Sequence, residues 1–133
     1  MLVALSGMTG LDEEAAQFAR ASPMSYEWES DSSGPMREAS AAERYLRDQS
    51  TTSLAPALKV FMLHRFRCAF EAATWAKDSP VQVRAADGYR VVWGQLENSR
   101  DPVVRSVADE IDREEYVYIE TKAHPRTFNR TPR

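Results

Sequence analysis

The amino-acid sequence predicts an all-α domain of four to five helices arranged in antiparallel hairpins. Apolar residues recur at helical spacing through most of the chain. Prolines and capping residues mark a succession of helix starts. Residues 54–76 (LAPALKVFMLHRFRCAFEAATWA) form a long, mostly apolar segment suited to be the central helix.

Each element follows from local chemistry. Residues 1–7 (MLVALSG) are apolar but lack the basic region and length of a signal peptide, so they read as a packed start of the mature chain. Whether a longer leader once preceded them stays open. Thr9 is a candidate N-cap, and Asp12, Glu13 and Glu14 complement the positive end of a helix running to Arg20, with Leu11, Ala15, Phe18 and Ala19 inward.

Residues 21–34 are rich in Ser and acid, contain Pro23 and show no period, so they read as a loop. Tyr26 and Trp28 are large for such a segment. They either pack back on the core, the preferred reading, or form a contact site for a partner protein. Pro35 suits the first turn of a helix ending near Gln49, with Met36, Ala39, Ala42 and Leu46 inward. The run Ser50, Thr51, Thr52, Ser53 breaks it, and Ser53 is placed to cap the central helix, whose first turn tolerates Pro56.

Residues 81–98 support two readings. Ser79 as cap with Pro80 in the first position is a helix-start signal, and Ala85, Tyr89, Val92, Trp93 and Leu96 have helical spacing. Alternation on either side of Asp87-Gly88 also fits a β-hairpin, and Gly88 and Gly94 would each weaken a helix by roughly 1 kcal/mol. The helix is preferred because its neighbours are helical. Asp101 then caps a helix with Pro102 first and Val103, Val104, Val107, Ala108 and Ile111 buried. Residues 116–121 (YVYIET) alternate and suit a short strand or extended segment. Residues 122–133, with Lys122, Arg126, Arg130 and Arg133, read as a mobile basic tail.

Composition bounds the function. A chain of 133 residues suits one domain spanning 1–133, and an apolar fraction of 43% argues against global disorder. A net charge of −3 argues against a dedicated nucleic-acid binder. Cys68 is the only cysteine, so neither an internal disulfide nor a cysteine zinc cage can form, which suits a cytoplasmic location. No apolar run reaches the roughly 20 residues that span a bilayer. The helical hairpins lack the signature positions of tetratricopeptide or ankyrin repeats.

The polar anomaly is Arg65. At about 100° per residue, Leu58, Phe61, Arg65, Ala69 and Ala72 share one face, so a guanidinium falls inside an apolar stripe. It must pair with a carboxylate, with Glu43, Asp87 and Asp109 as candidates, or hold an anionic ligand by bidentate bonds. If a pocket adjoins it, Tyr45, Tyr89 and Trp93 are candidate walls. Arg67, Glu71 and Thr74, with His64 at the edge, make a second polar stripe, read first as a solvated ion pair and otherwise as ligand-binding groups. His64 and Cys68 stand one turn apart, but too few ligands converge for a metal, and Cys68 borders the apolar face where thiols are inert.

No phosphate loop, zinc-protease motif or nucleophile elbow is present, and no cofactor is implied. The sequence therefore points away from an enzyme, towards a small helical interaction domain of adaptor, inhibitor or immunity type whose protein partner meets Tyr26 and Trp28. Self-association stays open. The rival is a small-molecule or anion-binding domain, with an enzyme still open, built on Arg65, His64, Arg67 and Glu71.

Overall fold

A computed structural model describes residues 12–22 and 27–128. Among them are five α-helices: α1 (Asp12–Ala21), α2 (Ser33–Asp48), α3 (Ala55–Ala76), α4 (Ser79–Leu96) and α5 (Pro102–Arg113). The described residues form no strand. None of these helices is long and apolar enough to cross a membrane.

α3 is the axis. It packs against α2, α4 and α5, and its Leu58, Phe61, Leu63, Phe70 and Ala72 are almost fully buried. Connections of a few residues join α2 to α3 and α3 to α4, which turns each pair into an antiparallel hairpin. α1 rests on α2, with the Phe18 ring edge-on to both Tyr45 and Phe61. The Thr9 cap and Leu11 lie outside the described residues.

The helix ends have distinct causes. Ser53 does not cap α3; Leu54 occupies the cap position without a side-chain bond, while the Thr52 hydroxyl accepts from the Leu54 amide at 3.2 Å. α3 stops because Lys77 adopts a left-handed conformation (φ 58°), letting the Asp78 amide reach back to the Ala73 carbonyl at 2.8 Å. Asp78, rather than Ser79, then caps α4 by accepting from the Val81 amide. Asp101 caps α5 as expected, accepting from Val103 and Val104.

Residues 81–96 are helical, not a hairpin. Gly88 is there for close approach: a Cβ at that position would stand 2.6 Å from carbons of the Phe66 ring. The apparent helix breaker therefore lets α4 close on α3.

Three expectations are corrected. Val103 is exposed rather than buried, since α5 turns only its Ala108 side fully inward. Residues 116–121 form no strand; the Glu71 carboxylate of α3, rather than a neighbouring strand, takes the amides of Val117, Tyr118 and Ile119. The basic tail does not stand clear from residue 122, because Ala123 and Phe128 pack on the core and Phe128 meets the Phe70 ring edge-on. Residues 129–133 lie outside the described set.

Candidate functional site

Arg65 projects from α3 towards α2 and is paired. Its Nε donates to Glu38 Oε2 at 2.6 Å, and the guanidinium carbon lies 4.3 Å from the Phe61 ring centre and 4.9 Å from that of Trp28. Trp28 Nε1 donates to the other Glu38 oxygen at 3.1 Å. The partner is therefore Glu38, not Glu43, Asp87 or Asp109. Arg65 keeps 19% of its side-chain surface, whereas Glu38 keeps 1%, so the carboxylate is the more deeply buried member. Cation–π contact and ion pairing together fix the loop ahead of α2 onto α3.

His64 joins this cluster by accepting from Arg65 Nη1 at Nδ1, 2.7 Å away. Burial first, and then the Arg65 charge, push its pKa down to about 4, so the ring is neutral with its proton on Nε2. Cys68 Sγ lies 3.6 Å from the same Nδ1, but burial pushes the thiol up to about 12. It stays protonated near neutrality and is unsuited to nucleophilic attack. No group of three metal-ligating side chains forms among the described residues.

The deepest charges are one turn further on. Arg67 and Glu71 are both 0% exposed, with Arg67 Nε donating to Glu71 Oε1 at 2.8 Å. This overturns the solvated stripe expected from their spacing. Arg67 also donates to the carbonyls of Ile111, Glu114 and Glu115 at 3.1, 2.8 and 2.9 Å, closing the C-terminal end of α5. Glu71 Oε2 accepts from the amides of Val117, Tyr118 and Ile119 at 3.2, 2.7 and 2.9 Å, and Oε1 receives Val117 as well, at 2.9 Å. Successive amides converging on one carboxylate make a backbone nest. One interior ion pair thus fastens residues 114–119, hereafter the strap, by acceptors on one side and donors on the other.

A second anchor went unnoticed in the sequence. Asp112 accepts from the Tyr89 hydroxyl at 2.6 Å and from Arg126, whose guanidinium lies over the Trp93 ring. His124 donates from Nε2 to the Asp112 carbonyl at 3.1 Å and accepts the Arg126 amide at Nδ1, so both ring nitrogens are engaged. Tyr45, Tyr89 and Trp93 do not line a pocket beside Arg65; Tyr89 and Trp93 belong to this anchor, and Tyr45 packs on Phe18. Tyr26 lies outside the described residues. Trp28 faces inward, its ring edge-on to Tyr118, whose hydroxyl accepts the Ser30 amide at 2.6 Å.

What remains at the surface is of two kinds. Trp75 is 68% exposed and Tyr116 47%. Between α2 and α4, which run parallel on either side of α3, a groove opens. One half, about 450 Å3, is floored by Met62 and Phe66; the other, about 420 Å3, is bordered by Arg37, Arg44 and Arg84. No protein-family model, curated protein or solved structure matches this chain.

Proposed function

We propose that this chain is a non-enzymatic helical interaction domain that captures a protein partner through Trp75 and Tyr116. The observation that carries the reading is the 68% exposure of Trp75 in the last turn of α3, just beyond its buried middle. Trp and Tyr are the side chains most often found to dominate binding energy at interfaces. Trp75 stands one turn beyond Glu71, and Glu71 holds the amide of Val117, the residue after Tyr116. Both aromatics therefore stand on backbone fastened from within, which lowers the entropy lost on binding.

Trp28, read with Tyr26 as packing on the core or else meeting a partner, is engaged by Glu38, Arg65 and Tyr118, which supports the packing role. The contacts of Arg65, His64, Arg67 and Glu71 likewise support structural duties over the rival anion-binding reading. A buried, protonated Cys68 suits the proposed cytoplasmic setting.

The test is site-specific photo-crosslinking from positions 75 and 116 in cells, with adducts identified by mass spectrometry. One protein, joined from both positions and lost when the other aromatic is changed to Ala, is the expected result. A second copy of this chain would register as that protein and be read independently by sedimentation. Adducts no more selective than those from exposed position 83 would remove the proposal.

A further inference from the structure

We infer that the basic half of the groove between α2 and α4 is a binding site for a small phosphomonoester, independently of the partner surface at Trp75. Arg37 and Arg44 on α2 and Arg84 on α4 border one concavity of about 420 Å3, with Ser33 and Ser40 beside them. No carboxylate lines it, and among the described residues none of the three arginines forms a salt bridge. Asp31, whose carboxylate takes the Ser33 amide, lies within electrostatic reach of Arg37.

The concentration of charge is not a reflection of composition, since the whole chain carries −3. Three guanidinium groups gathered in one depression repel one another, and an anion seated among them relieves that repulsion. Guanidinium forks match phosphate oxygens in geometry as well as charge.

Size and floor narrow the class of ligand. The volume falls in the range of small-molecule pockets, roughly 300–1,000 Å3. Met36 and Val81 offer apolar surface for the organic part of an ester. Three positive contacts are too few for a nucleic-acid footprint on a chain of net negative charge. The other basic depression, bordered by Arg90 and Arg126, is already balanced by Asp87 and Asp112.

Phenyl phosphate is a suitable probe, titrated by calorimetry and by amide NMR shifts at constant ionic strength against the wild type, Arg44→Gln, Arg84→Gln and the double variant. Both positions are exposed, so circular dichroism and melting should be unchanged. The expected result is saturable one-to-one binding with shifts concentrated at residues 33–40 and 81–84, weaker binding of inorganic phosphate, and at least tenfold loss in the double variant. Equal affinity in the double variant, or the same shifts from chloride alone, would overturn the site. Tighter binding of a phosphoseryl peptide than of phenyl phosphate would overturn the small-molecule assignment.

Discussion

Replacing Glu71 with Gln keeps the volume of the side chain and removes its charge, leaving Arg67 as an uncompensated cation at 0% exposure. Breaking a buried pair by neutralising one member typically destabilises by about 3–5 kcal/mol. A second route gives a compatible figure. Three amides donate to the Glu71 carboxylate, and a bond to a charged group contributes about 1.5–3 kcal/mol. The glutamine oxygen retains part of this, so the sum is an upper bound. A loss of about 3–5 kcal/mol would remove roughly a fifth or more of the stability of an ordinary domain. Urea unfolding of the wild type, Glu71→Gln, Arg67→Met and an Arg67→Met/Glu71→Leu double variant would measure it. The double variant should lose less than the two single losses combined, because the interior charges leave together. Amide exchange at Val117, Tyr118 and Ile119 should accelerate in Glu71→Gln. A loss below about 1 kcal/mol with unchanged protection at those amides would refute the idea that the strap hangs on this carboxylate.

Three further outcomes follow from the geometry. Gly88→Ala should destabilise by about 1–2 kcal/mol, overpacking against Phe66 outweighing the better helix propensity, whereas Gly94→Ala, with nothing within 4 Å, should gain up to about 1 kcal/mol; melting curves that rank the two alike would contradict the close-approach argument. His64 has its folded pKa depressed to about 4 from 6.5, so the unfolded chain binds the proton more readily: its contribution is intact above pH 6.5 and declines as pH falls towards 4, and denaturation midpoints of His64→Gln should vary less across that window than those of the wild type. Lys77→Gly should raise stability by up to about 1 kcal/mol by relieving the left-handed conformation, a gain that chemical denaturation can detect and that would be absent if Lys77 were not at φ 58°.

The helices were legible because their signals are local. Spacing, Asp101-Pro102 and the acid-rich start of α1 need no knowledge of neighbours. The helix at residues 81–96 was harder, because Gly88 reads as a breaker until Phe66 is seen lying across it. The polar site is hidden from local patterning for a related reason. Periodicity assigns a buried face by counting apolar residues, and on that count Arg65 looked inside and Arg67 outside. Helices pack on several sides of α3, so it buries nearly its whole circumference from Leu58 to Ala73. A helix apolar around most of its surface signals such burial, and that signal was present in residues 54–76. Glu38 could not be singled out, since nothing in the local sequence distinguishes it from Glu43. The strap was invisible because its order comes from side chains of a distant helix rather than from any repeat of its own.

The clamp formed by Arg67 and Glu71 has a bearing on how the molecule comes together. Its two members are four residues apart, so they present a joined face only once α3 is wound. The backbone groups they grip lie 44 to 48 positions downstream in the chain. The contacts of the C-terminal segment therefore depend on α3 being wound, and the segment covers two interior charges. A chain cut before residue 114 would leave both charges without most of the backbone groups they bind, so what resembles a trailing end closes the interior.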